Sequence, residues 1–170
     1  MWGQQLAFLA TTLAAAVLLG GSVQDVLVSA LGAGVAWVVL RTGWPLRNLL
    51  LACMLGAAGA LAEAVGASAG VVLLSAAIMI VPGLSLTTAL GEAGEGHLAS
   101  ASARLLAVVV VLAELGGGAT LGWWLVGSVP QVIAPIPVPL PIVEVNPLLA
   151  PAAFAVVMGA RARDLPAIWV

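Results

Sequence analysis

Apolar residues run in long blocks along this chain, and polar residues gather in short intervals between them. The first block extends from Gln5 to Gly20 and ends at the cluster Ser22, Gln24 and Asp25. The second, Val26 to Leu40, stops at Arg41, where RTGWPLR supplies the Gly and Pro of a well-marked turn. Leu49 to Leu61 is the third block. Glu63 and the small residues AVGAS then separate it from a fourth, which starts near Ala67 and runs to Pro82. Apolar character resumes from Leu84 to Leu90, so the pattern predicts one long fourth helix, kinked at Pro82-Gly83 where proline removes a backbone hydrogen bond.

Gly91 to Arg104 is a hydrophilic turn, and a fifth helix follows from about Ser100 to Val126. The interval from Arg104 to Trp124 corresponds to roughly 30 Å of helix, the thickness of a hydrocarbon core. Beyond it, prolines recur between Val129 and Pro151, a density that disfavours regular helix and predicts an extended connector. A sixth block, Leu148 to Ala160, ends in the polar turn ARARDLP. The expectation is an all-α polytopic transmembrane bundle of about six helices with a Pro/Gly-kinked fourth helix. Its divisions are a five-helix membrane domain over 1–127, a Pro-rich extracytoplasmic connector over 128–147, and a further helix and turn over 148–170.

Composition agrees with this pattern. Hydrophobic residues make up 63% of the chain and charged residues 7%, and the mean hydropathy is +1.22, whereas a soluble domain carries about 25% charge. Lipid is therefore the expected surrounding, in a multi-pass plasma-membrane protein. The net charge of −2 and the absence of Lys leave no basic surface for a phosphate backbone, which sets nucleic-acid binding aside. The lone Cys53 lies in an apolar run, where a thiol behaves as a small hydrophobe.

Charge also orients the chain. When helices alternate sides, Arg41, Arg47, Arg104, Arg161 and Arg163 all fall on the face of the N-terminus, which the positive-inside rule makes cytoplasmic. Asp25, Glu63 and Glu144 fall opposite. Trp44 on one side and Trp123 with Trp124 on the other suit interfacial belts.

Several positions carry candidate chemistry. Gly66 with Gly70 and Gly118 with Gly122 have the spacing that lets membrane helices approach closely. Glu114 lies ten residues from Arg104 near the centre of the fifth helix, where an ionised carboxylate needs a partner, water or a proton, so it is a coupling candidate beside the alternative of a neutral structural acid. Ser75, Pro82, Gly83, Ser85, Thr87 and Thr88 bring hydroxyls and freed carbonyls to the break, an arrangement suited to a small polar substrate at membrane depth. The alternative is that these hydroxyls bond their own helix. Glu92, Glu95 and His97 make a weak metal set, and a solvated loop containing His97 and Arg104 is the expectation, with no metal and no cofactor. GEAGEG lacks the Lys-Ser or Lys-Thr of a phosphate loop, and no nucleophile-elbow pattern occurs, so the chain reads as a non-enzyme.

The stretch IMIVPGLSLTTALGEAGEGHLASASARL resembles the signature region of the threonine/serine exporter family, with its Val81-Pro82-Gly83 break, polar loop through Gly96-His97, and Ala101-Ser102-Ala103-Arg104 start to the next helix. Helices one to five resemble that family's N-terminal membrane half. FAVVMGARARDLPAIWV resembles the opening helix of its second half, so the resemblance implies a chain holding the first half and the start of the second. It further implies export of small hydroxy amino acids or related metabolites, driven by the proton gradient through alternating access. The family pattern itself requires no carboxylate at Glu114. A noncatalytic membrane subunit or scaffold, acting with a second-half subunit or a second copy, is the alternative.

Overall fold

A computed structural model of the chain describes residues 2–78, 80–127 and 133–160. The turn with Arg161 and Arg163, and the first part of the connector, lie outside these residues. Seven α-helices are present among the described residues: α1 (Trp2–Leu18), α2 (Val23–Leu40), α3 (Arg47–Ala62), α4 (Ala69–Ala77), α5 (Gly83–Gly94), α6 (Leu98–Val126) and α7 (Leu140–Val157). Of these, α2, α6 and α7, together with α3 and the single 3-10 turn that extends it to Val65, are long and apolar enough to cross a membrane.

The local starts and stops follow from particular residues. At the head of α2, Ser22 and Asp25 form a reciprocal capping box, satisfying orphan amide donors. At Gly66, φ +80 places the residue after the 3-10 turn in the left-handed region, which ends the α3 segment. Gly96, at φ +84, does the same between α5 and α6.

Two expectations are corrected here. The kinked fourth helix is two helices, since α4 ends at Ala77 and α5 begins at Gly83. Pro82 has no amide to donate and its ring would clash with the carbonyl four residues back, and the residue before a proline is itself driven out of the helical region. The chain responds with a tight turn, in which the Ile80 and Val81 amides both donate to Ala77 O and the Gly83 amide donates to Val81 O. The last helix begins at Leu140 rather than Leu148 and contains Pro147 and Pro151. Pro141 sits in its first turn, where the missing donor would have no partner. The other two are one turn apart, so their lost bonds fall along one side and the remainder of the ladder persists.

The helices α1 to α4 pack on one another, α6 packs along α3, α7 along α1, and α5 chiefly against α6. The core is built from small side chains, Ala33, Ala36 and Ala76 around Leu51, Leu55 and Phe8, as expected where close approach rather than water exclusion drives helix association. The α3–α6 contact is the tightest. A Cβ on Gly122 would strike Cys53 O and come within 2.8 Å of Ala57 N, one on Gly118 within 2.8 Å of Ala52 Cβ, and one on Gly56 within 2.8 Å of Ala119 Cα. These pairings advance together along both chains, so α3 and α6 run parallel. Gly66 and Gly70 are no such pair: Gly66 is the left-handed terminator, and a Cβ on Gly70 would meet only Ser68 Oγ, at 3.9 Å.

At one end of the bundle Asp25 joins three segments. Its Oδ2 accepts the Ser22 amide at 2.6 Å and hydroxyl at 2.7 Å, and its Oδ1 accepts the Ser68 amide at 2.5 Å. Beside it, Gln24 donates to Ala134 O and accepts the Ile136 amide, tying the connector down. At the opposite end lie Arg41, stacked 3.8 Å over the Trp37 ring, and Arg47 at the start of α3.

Candidate functional site

Asn48, in the first turn of α3, donates through Nδ2 to Glu114 Oε2 at 3.0 Å. Because α3 and α6 run parallel, this bond sets the level of Glu114. The carboxylate lies midway along α6 but beside the very start of α3, at the arginine-bearing end of α2 and α3. The sixteen residues of α6 that precede Glu114 extend about 24 Å past that level. The expected position near the centre of its own helix thus stands, and the structure adds that this level meets the start of α3, because α6 is much longer than α3 and the two align at their C-terminal ends.

Glu114 lines an open groove of about 670 Å³ together with Trp44, Arg47 and Asn48. Apolar side chains from α6, Leu106, Val110 and Val111, form its far wall. Arg47 donates to Leu40 O at 3.3 Å, and the one ion pair among the described residues is elsewhere, between Arg104 and Glu92. An acid and a base therefore share this groove without neutralising each other. No buried side-chain nitrogen or oxygen lacks a partner among the described residues, and Glu114 Oε1 receives no donor from them, so that oxygen is accessible on a residue that lines the groove.

The other expected site residues are not brought to one place. Ser75 is fully buried between α2 and α4, 2.7 Å from the Ser29 hydroxyl and donating to Val71 O. Thr87 and Thr88 are exposed on α5 and both donate to Leu84 O, at 2.9 and 2.8 Å, while Ser85 is exposed on the same helix. Pro82 and Gly83 line an apolar groove of about 790 Å³ with Leu18, Ile78, Leu84 and Phe154. His97 is exposed in the α5–α6 turn, and among the described residues no three His, Cys, Asp or Glu side chains converge on a metal position.

Arg104 closes the same hairpin. Its Nε donates to Glu92 Oε1 at 2.9 Å, and the Ser100 hydroxyl donates to Glu92 Oε2 at 2.5 Å. The Ser100 hydroxyl first, and then the Arg104 charge, hold the Glu92 carboxyl below its ordinary range.

Sequence reasoning singled out Glu114 but passed over Asn48, and gave Arg47 and Trp44 topological roles only. The partners are 66 residues apart, and the one available signal was an amide in the first turn of an otherwise apolar helix.

The fold and groove can now be set against known proteins. No curated protein and no solved structure matches the chain. Residues 1–126 match the family model described as "Putative threonine/serine exporter", which takes in α1 through α6 and leaves α7 outside. A match over that share of its length means that this chain belongs to the threonine/serine exporter family.

Proposed function

We propose that the chain exports small hydroxy amino acids such as threonine and serine, or related metabolites, across the plasma membrane by proton-coupled alternating access, with its arginine end and N-terminus in the cytoplasm. The observation that carries this reading is the Glu114 carboxylate, held on an apolar helix by the single donor of Asn48, its other oxygen accessible on a residue that lines a groove. An ionisable side chain on a membrane helix is a functional candidate by default, which is the ground for giving it the coupling role. Membership of an exporter family supports the direction of transport.

In this mechanism the break between α4 and α5 at Pro82-Gly83 is the joint, because the regular helical hydrogen-bond ladder is interrupted there by a turn. Thr87 and Thr88 have their hydrogens committed to Leu84 O, so they offer a passing substrate acceptor lone pairs only. Ser85 and Ser75 complete the set of hydroxyls, with Ser75 reachable after α2 and α4 part.

The test is efflux of labelled threonine from vesicles, with and without an imposed pH gradient, from the chain alone and with a second-half partner co-expressed. Efflux that rises with the gradient is expected, and Glu114→Gln should abolish the gradient dependence while the helices remain folded. An unchanged pH dependence in that variant removes Glu114 from coupling.

A further inference from the structure

We propose that the groove between the start of α3 and α6 is the site where a zwitterionic α-amino acid docks, its ammonium on Glu114 Oε1 and its carboxylate on Arg47. This assignment rests on the export reading and deepens it, since nothing in a family match places a binding site. Three observations on the same groove support it.

The first is charge. Glu114 and Arg47 line one groove and form no ion pair, so the surface presents separate negative and positive ends. Arg47 commits one nitrogen to Leu40 O, and a guanidinium has further donors in a planar fork suited to a carboxylate. The second is hydrogen-bond capacity. Asn48 spends its amide nitrogen on Glu114, which orients the carboxylate and leaves Asn48 Oδ1 as an acceptor on a residue of the same groove. A hydroxyl on the β-carbon of the ligand is the group that would fill it. The third is surroundings. The wall from α6 is apolar, with Leu106, Val110 and Val111, and offers no polar group that competes with Glu114 and Arg47. The volume of about 670 Å³ falls within the range of small-molecule sites.

A proton and an ammonium then compete for the same oxygen. Binding of one displaces the other, which gives exchange of substrate for protons with a single carboxylate. Phosphatidylethanolamine offers the same pairing of ammonium and anion from a lipid headgroup, so the test separates the two sources.

Trp44 lines the groove and reports on it. The full chain is reconstituted in phosphatidylcholine nanodiscs and its tryptophan emission titrated with L-threonine. A saturable change that disappears in Trp44→Phe is expected. N-acetyl-L-threonine, which lacks the ammonium, and L-threoninol, which lacks the carboxylate, should each bind at least about tenfold more weakly. Glu114→Gln and Arg47→Gln should weaken L-threonine by a similar factor, while Glu63→Gln, at the opposite end, should not. Equal binding of N-acetyl-L-threonine to the unaltered chain overturns the assignment without relying on any variant. So does a threonine signal abolished by phosphatidylethanolamine, which gives the groove to the headgroup. Threonine efflux that persists alongside failed binding in this groove refutes the site and leaves export standing. Binding as described without efflux by the chain and its second-half partner refutes export and leaves the site.

Discussion

Asp25 Oδ2 takes the Ser22 amide and hydroxyl while Oδ1 takes the Ser68 amide, so one side chain caps α2 and holds the approach to α4. It is buried, and Asp25→Ala would remove the acceptor of two donors on buried Ser22, and of the amide of Ser68, which is exposed. Each buried donor so left costs about 1 to 3 kcal/mol, and the lost cap belongs to the same range. The expected loss is at least about 2 kcal/mol, read as a lower unfolding midpoint in mixed micelles, whereas Asp25→Asn, which keeps an acceptor, should lose less. An unchanged midpoint in the alanine variant would show the junction to be held by other contacts. Glu92 gives a pH prediction at the same scale. Its folded pKa is depressed from 4.5, so its contribution to the α5–α6 hairpin is fully present above that value and is lost as pH falls through the lower, folded value. The protection of amides in the turn around Gly96, taken relative to their intrinsic exchange rates, should therefore fall in acid, and Glu92→Gln should remove that change over the same window. Glu92 is solvent-facing, so the effect is local rather than global.

At the scale of the elements, α6 depends on glycine where it meets α3 and not elsewhere. Gly118 and Gly122 meet α3 backbone at distances no Cβ tolerates, whereas Gly116 and Gly117 have nothing within 4 Å. Alanine is favoured over glycine in a helix interior by about 1 kcal/mol. Gly117→Ala should thus raise the unfolding midpoint slightly, and Gly122→Ala should lower it despite the same propensity gain. Equal shifts in the two variants would contradict the close parallel packing. The Gly118–Gly122 pair was legible in the sequence and does meet α3, but Gly66 and Gly70 had the same spacing and form no helix contact, so spacing alone did not tell the two pairs apart. The break at Pro82-Gly83 was legible as an interruption, while its outcome as two separate helices depended on how far the chain unwinds before α5 begins.

For the whole molecule, the segment ends sort by charge. Arg41 and Arg47 lie at the end of the bundle opposite Asp25 and Glu63, because α2 and α3 are antiparallel and joined through Trp44. Arg104 lies about 15 Å further along α6 from Glu114 in the same direction. With Cys53→Ser as background, Thr42→Cys should resist a membrane-impermeant thiol reagent applied to intact cells and Val65→Cys should react. The reverse pattern would invert the orientation inferred from the arginines.

Hydropathy alone pointed to membrane helices, because long continuous apolar blocks, unlike the alternating strands of a barrel, satisfy their backbone in lipid as helices, and the Val-Pro-Gly break with its following polar loop pointed to the family. Sequence also placed Glu114 on an apolar helix as its anomaly. Only the tertiary structure decided what Glu114 meets. Its partner Asn48 and the unpaired Arg47 belong to a helix far away in the chain, and their level along α6 follows from the α3–α6 register, a property of side-chain packing that no local pattern encodes. The hydroxyls beside Pro82 went the other way: their chemistry was evident from the sequence, but helical geometry gives Thr87 and Thr88 a nearer acceptor in Leu84 O, and burial gives Ser75 one in Val71 O.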